Sequence, residues 1–107
     1  MDLKMDKGKI AAQCGHATLA AYKLAKRITP HYVQTWQKLG QTKIAVKIPD
    51  EQQLMALADA AKALGVSARV IQDAGRTQVD PGSRTVIGLG PAPISVMDQL
   101  TRQFKLL

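Results

Sequence analysis

Apolar residues recur at helical spacing over the first part of the chain. From Ile10 onward they occur in steps of three and four, at positions 10, 14, 17, 21, 24 and 28. Residues spaced in this way share one face of a helix, so the pattern predicts an amphipathic helix that ends at about Arg27. Asp6 suits the N-cap of this helix. Thr29-Pro30 predicts the cap and first turn of a second helix, which Gly40 ends.

The middle of the chain alternates between strand and helix patterns. In residues 42–48, apolar side chains alternate with lysines and an alanine, which predicts a half-buried strand. Asp50 then suits the cap of a helix whose apolar stripe continues as far as Gly65. Residues 66–71 predict another strand. A strand, helix, strand order predicts a right-handed crossover and a parallel pair.

The last third of the chain predicts a turn, a strand and a helix. Asp80-Pro81-Gly82-Ser83 suits a type II turn, so the strand at about 84–89 is expected to return beside residues 66–71. Glycines and prolines then precede a predicted helix at 94–104. The fold class is therefore α/β, with a mixed β-sheet flanked by helices and three strands visible. A parallel pair is normally covered on both faces, which favours a further strand.

Composition limits the class of protein. At 107 residues, the chain is expected to form a single domain, 1–107. Its net charge of +7 favours a polyanionic partner, and the first 27 residues carry six Lys or Arg against two Asp. One cysteine excludes an intrachain disulfide, so the cytoplasm is the simplest location, with an organelle also open. The sequence contains neither a membrane-spanning run nor the apolar stretch of a signal peptide.

The start of the first helix carries an unusual pair of cations. Lys7 and Lys9 oppose the helix dipole where natural helices usually place acids. Helix amides together with lysine ammonium groups form an anion site, and Gly8 permits close backbone approach. The alternative from charge alone is a solvated basic cap.

A second polar segment, Gln-Asp-Ala-Gly-Arg-Thr-Gln at 72–78, directly follows a predicted strand. Ligands commonly bind at loops that follow the strands of α/β sheets. The alternative is an ordinary turn, since Asp with Gly two residues later is common turn chemistry.

Other sites are disfavoured. Gly88-Leu89-Gly90 lacks the rest of a dinucleotide-binding motif. His16 and His31 with one cysteine do not form a zinc pattern, so no metal is expected. Cys14 lies on the apolar face and is interpreted as a core residue rather than a nucleophile. His16 lies beside that face and is expected to be partly exposed.

The two polar segments together resemble the signature blocks of the archaeal and eukaryotic family of peptidyl-tRNA hydrolases. Residues 3–13 (Leu-Lys-Met-x-Lys-Gly-Lys-x-Ala-Ala-Gln), followed by His16 and Ala17, resemble the first block. Residues 72–78, with Pro-Gly-Ser at 81–83 and Gly-Leu-Gly-Pro at 88–91, resemble the second. The spacing between the blocks also fits, so the resemblance covers essentially the whole chain.

This resemblance implies a four-stranded mixed sheet flanked by helices, frequently in a homodimer. It implies hydrolysis of the ester between a peptide and the 3′ ribose at the acceptor end of tRNA, without a cofactor. Family members open with a short apolar strand that this chain lacks. We therefore expect that Met1 corresponds to an internal methionine of a longer product or to a truncated start.

The resemblance also implies roles for individual residues. Lys9, Asp73 and Thr77 match the positions with catalytic roles. The residues expected to contact substrate are Lys7, Gln13, His16, Arg76 and Gln78. The competing interpretation is a non-catalytic RNA-binding or dimer-forming module on the same scaffold.

Overall fold

The computed structural model describes residues 5–72 and 83–107. In these residues the elements are α1 (Lys7–Ile28), α2 (Pro30–Lys38), α3 (Glu51–Ala63), β1 (Ala68–Gln72), β2 (Arg84–Leu89) and α4 (Ile94–Thr101). All four predicted helices are confirmed, although α4 ends three residues before the predicted position. The predicted turn at 80–83 lies largely outside the described residues.

Helix α1 begins at the predicted cap. The Oδ1 atom of Asp6 accepts a hydrogen bond from the Lys9 amide at 2.9 Å. The helix buries Gln13 and three alanines, Ala17, Ala21 and Ala25. Small side chains allow the backbone of α1 to approach the sheet closely. At Gly88 the approach leaves no room for a side chain, since an added Cβ atom would meet the carbonyl of Ala17. The predicted face is thus confirmed at positions 17 and 21, whereas Ile28 is exposed.

Helix α2 begins with Pro30 in its first turn, as predicted, but Thr29 does not cap it through its side chain. The Thr29 hydroxyl instead donates to the carbonyl of Ala25 in α1 at 3.3 Å. Thr29 therefore joins the end of α1 to the start of α2. Gly40 has a φ of 100°, a conformation that favours glycine and ends the helix where predicted.

Strands β1 and β2 form a two-stranded antiparallel sheet. The predicted return of the second strand beside the first is therefore confirmed. Ala68 pairs with Leu89 and Ile71 with Val86, but Gln72 pairs with Arg84, so the register passes over Thr85. Such a β-bulge redirects a side chain at the end of a ladder.

The predicted strand at 42–48, and with it the mixed three-stranded sheet, is not confirmed. In the described residues this segment makes only an isolated antiparallel bridge, Val46 with Leu106. Its backbone bonds join Lys47 to Lys105 and Leu107 to Ala45. Ile44 is 72% exposed and Ile48 is 7% exposed, so the alternation places one end of the segment against the core. Alternation predicts an extended segment, whereas a strand also needs a neighbouring strand along its length.

Helices cover both faces of the small sheet. Helix α3, capped by Asp50, buries Leu54, Leu57, Ala58 and Ala61 as predicted. Its leucines form a core with Val66, Ala68 and Leu100, against which Val70, Ile87 and Leu89 pack. Because alternate residues of a strand point to opposite faces, α3 covers one face, with α4 packed against α3, and α1 covers the face that contains Gly88. The arrangement is a three-layer α/β sandwich around a two-stranded sheet.

Candidate functional site

The first turn of α1 presents basic side chains beside the amides of the helix start. Lys7 and Gly8 are exposed, and Lys9 is half-buried. The first turn contains no acidic residue, and the N-cap carboxylate of Asp6 accepts from the Lys9 amide. Helix amides and lysine ammonium groups in this arrangement favour an anion.

Gln13 lies one turn after Lys9 and fastens this part of α1 to the sheet. Its Nε2 atom donates to the Thr85 hydroxyl at 3.0 Å. The Thr85 hydroxyl in turn donates to the carbonyl of Ile71 at 3.2 Å. Gln13 is 5% exposed and Thr85 is 2% exposed, so water does not compete with these bonds. The chain of bonds ends one residue before the last residue of β1.

The same end of the sheet is held from its other side. Arg84 pairs with Gln72 at the bulge, and its guanidinium donates to the Glu51 carboxylate of α3 at 2.9 Å. Both side chains are about 40% exposed, at 39% and 40%. A partly exposed ion pair of this kind adds little to stability, but it orients the Arg84 guanidinium toward α3.

Helical spacing separates the predicted residues of the first block. Steps of four and three place Lys9, Gln13 and His16 along one side of α1. His16 is exposed, beyond the partial exposure expected for it. Lys7 lies two residues before Lys9, which turns it to a different side of the helix. The structure therefore brings together Lys9, Gln13 and His16, with Lys7 apart.

Comparisons with known proteins identify the family of this chain. The family model described as "Peptidyl-tRNA hydrolase PTH2" matches residues 1–107. The chain belongs to the peptidyl-tRNA hydrolase PTH2 family.

Members of the PTH2 family similar to this chain occur in animals and archaea. The chain is 52% identical over 105 residues to mouse (Mus musculus) "Peptidyl-tRNA hydrolase 2, mitochondrial", covering 98% of this chain and 58% of the mouse protein. It is 52% identical to the human (Homo sapiens) protein of that name, covering 98% and 59%. It is 41% identical to "Peptidyl-tRNA hydrolase" of Methanococcus vannielii, covering 99% and 91%. The chain thus spans less than two thirds of these mammalian relatives and most of the archaeal one.

The second block begins at Gln72, the last residue of β1. Its predicted site residues, Asp73, Arg76, Thr77 and Gln78, lie outside the described residues. The described residue before them is Gln72, which is exposed at the end of β1. Their positions relative to Lys9 stay a prediction.

Thr85 is a site residue that the sequence analysis did not single out. It links the Gln13 side chain to the β1 backbone, and it lies in an otherwise ordinary strand pattern. Threonine is common in strands, so the sequence carries no signal that sets Thr85 apart. Its partner, 72 residues away, left no local mark.

The remaining chemical groups play other parts. Cys14 is half-buried, and burial raises the pKa of its thiol, which keeps it protonated and disfavours a nucleophilic role. Within residues 5–72 and 83–107, no group of three or more His, Cys, Asp or Glu side chains is placed to hold a metal. In the same ranges, no helix is both long and apolar enough to cross a bilayer.

Proposed function

We propose that this chain hydrolyses the ester bond that joins a peptide to the 3′ ribose of tRNA, releasing free tRNA and a peptide. Membership of the PTH2 family supports this activity. The observation that carries it is the buried Gln13, Thr85 and Ile71 hydrogen-bond chain. These hydrogen bonds connect the first signature block to the strand that leads into the second.

The geometry favours a cleft between the start of α1 and the end of β1. Lys9 precedes Gln13 by four residues, or about 6 Å along the helix axis. Asp73 follows Gln72 in the sequence, and β1 ends at Gln72. Gln13 of the first block and Gln72 of the second lie at the same end of the sheet, which supports a joint site for Lys9, Asp73 and Thr77.

The proposed reaction uses water as the nucleophile. Asp73 orients or deprotonates the water, whose oxygen adds to the ester carbonyl carbon. Lys9 stabilises the negative oxygen that develops there or keeps Asp73 charged, and Thr77 helps to place the water. The bond to the ribose oxygen then breaks, and that oxygen takes up a proton. Lys7, His16, Arg76 and Gln78 contact the substrate, whereas Gln13, whose amide is buried against Thr85, holds the start of α1 in position instead of contacting the substrate as predicted.

The direct test is cleavage of an N-blocked aminoacyl-tRNA by the purified chain and two variants. Asp73→Asn removes the base and is expected to lower kcat about 10²- to 10⁴-fold. Lys9→Ala removes a charge-stabilising donor and is expected to lower kcat about 10²- to 10³-fold. In both variants KM changes less than kcat, because the lost contact acts mainly in the transition state.

Matched substitutions on α3 control for the loss of charge. Asp59→Asn and Lys62→Ala alter exposed residues of the same types away from the cleft, and they should keep the normal kcat. Near-normal kcat in Asp73→Asn or Lys9→Ala at saturating substrate would overturn the role assigned to that residue.

The non-catalytic module is the less favoured interpretation, since the family match and the names of its relatives indicate hydrolases. It predicts that the chain binds tRNA while the ester stays intact. The same cleavage assay therefore separates the two functions. A homodimer and a cytoplasmic or organellar location remain predictions.

A further inference from the structure

A groove of about 410 Å³ lies between α1, α2 and the segment that follows α2. Gly15 and Tyr22 line it from α1, Trp36 and Gln37 from α2, and Lys43 from the following segment. Its volume falls in the range of sites that bind small organic groups.

Two aromatic side chains form the groove wall. The ring centroids of Tyr22 and Trp36 are 6.2 Å apart, and the ring planes are inclined by 43°. The Trp36 indole donates to the carbonyl of Thr42 at 2.8 Å. The Tyr22 hydroxyl accepts from Gln37 Nε2 at 3.3 Å. These two bonds hold the rings in place. Both rings are half-buried, so part of each ring is exposed to solvent.

A lysine accompanies each ring. The Lys43 ammonium lies 5.4 Å from the Trp36 ring centroid, and the Lys26 ammonium lies 5.5 Å from that of Tyr22. Lys43 is also held by its bond to the carbonyl of Gln41 at 2.8 Å. None of the residues that line the groove is acidic. The groove therefore offers flat apolar surface beside positive charge.

This pair of features matches a nucleotide. Proteins hold single-stranded nucleic acid by stacking its bases on aromatic side chains and by tracking its phosphates with cations. An apolar peptide would use the rings but offers no negative charge to the two ammonium groups. The net charge of +7 favours the polyanion in the same way.

We propose that this groove binds one unstacked nucleotide of single-stranded RNA, with its base on Trp36 or Tyr22 and its phosphate near Lys26 and Lys43. The inference deepens the proposed function and rests on it for the identity of the RNA, which is the single-stranded end of the tRNA substrate.

The groove receives a nucleotide other than the one that carries the ester. Tyr22 follows Lys9 by 13 residues, which is about 20 Å along the axis of α1. The groove residues also lie on the side of α1 that faces α2, away from Lys9 and Gln13. The strand must therefore extend along and around α1 from the ester to the groove.

Trp36 makes a direct test possible because it is the only tryptophan of the chain. Titration with a single-stranded RNA oligonucleotide of the acceptor-end sequence should quench its fluorescence in a saturable way. Tyr22→Leu keeps the reporter and removes one stacking surface, so the oligonucleotide Kd and the KM for peptidyl-tRNA should rise about 5- to 150-fold. The kcat should stay unchanged.

Lys43→Ala is a second variant that leaves the fold intact, because Lys43 is exposed. It should reduce the slope of log Kd against log salt concentration by about 0.7, the loss of one phosphate contact. Lys62→Ala removes the same charge from α3 and should leave both slope and quenching unchanged.

The outcomes separate this inference from the proposed function. Normal cleavage without quenching, or quenching and KM that are unaffected by Tyr22→Leu and Lys43→Ala, would overturn the groove assignment alone. Quenching without cleavage would support the groove and overturn the hydrolase. Quenching by an apolar peptide but not by RNA would assign the groove to a protein partner.

Discussion

At the scale of single residues, the site geometry depends most on the hydrogen bond between Gln13 and Thr85. Thr85→Val keeps the size of the side chain but leaves the Gln13 amide buried without its acceptor. We expect this change to lower the free energy of unfolding by about 1–3 kcal/mol, measured by urea denaturation. We also expect a lower kcat, because Lys9 lies one turn from Gln13.

A double-mutant cycle isolates this coupling. Combining Thr85→Val with Gln13→Leu removes both polar groups, so the loss of stability should be smaller than the sum of the two single losses. Additive losses would show that the two side chains do not act on each other.

Two glycines predict opposite effects of the same substitution. In Gly88→Ala the new methyl group would meet the Ala17 backbone carbonyl, which cannot rotate away. We expect a loss of about 1–3 kcal/mol in the free energy of unfolding. At Gly15, in the middle of α1, a Cβ atom has no neighbour within 4 Å. Gly15→Ala should therefore add about 0.5–1 kcal/mol, and a destabilised Gly15→Ala would contradict this account.

At the scale of elements, the helices follow the local signals most closely. Asp50 accepts from the Gln53 amide at 2.8 Å, which satisfies a donor at the start of α3. Asp50→Ala should lower the melting temperature and cost about 1 kcal/mol of stability. Asp50→Asn keeps a capping oxygen and serves as the control. Equal losses in the two variants would assign the effect to charge instead of capping.

The segment at 42–48 shows where local signals stop. Its alternation predicted a strand, yet its described backbone-to-backbone pairing is with three residues at the end of the chain. Ile44 and Leu106, on the two segments that pair, are 72% and 71% exposed. An alternating pattern specifies which residues share a side, but the partner decides whether that side is covered.

At the scale of the whole molecule, positive charge should determine most of the affinity for the proposed tRNA substrate. Three or four phosphate contacts predict that the apparent affinity falls roughly as the second to third power of salt concentration. A plot of log KM against log salt concentration measures this slope. The kcat serves as the internal control, because it compares the ground state with the transition state while the substrate is bound in both. A KM that is insensitive to salt would contradict the electrostatic grip.

The sequence alone determined the four helices, the strand at β2, the return of β2 beside β1, and the two signature blocks. The helices depend on caps, glycines and apolar spacing within about one or two turns, which a sequence displays directly. Only the tertiary structure decided that 42–48 bridges to the end of the chain and that Gln13 meets Thr85 across 72 residues. Such contacts form between residues that are distant in sequence, and each depends on how whole elements pack. Neither partner carries a local signal that names the other.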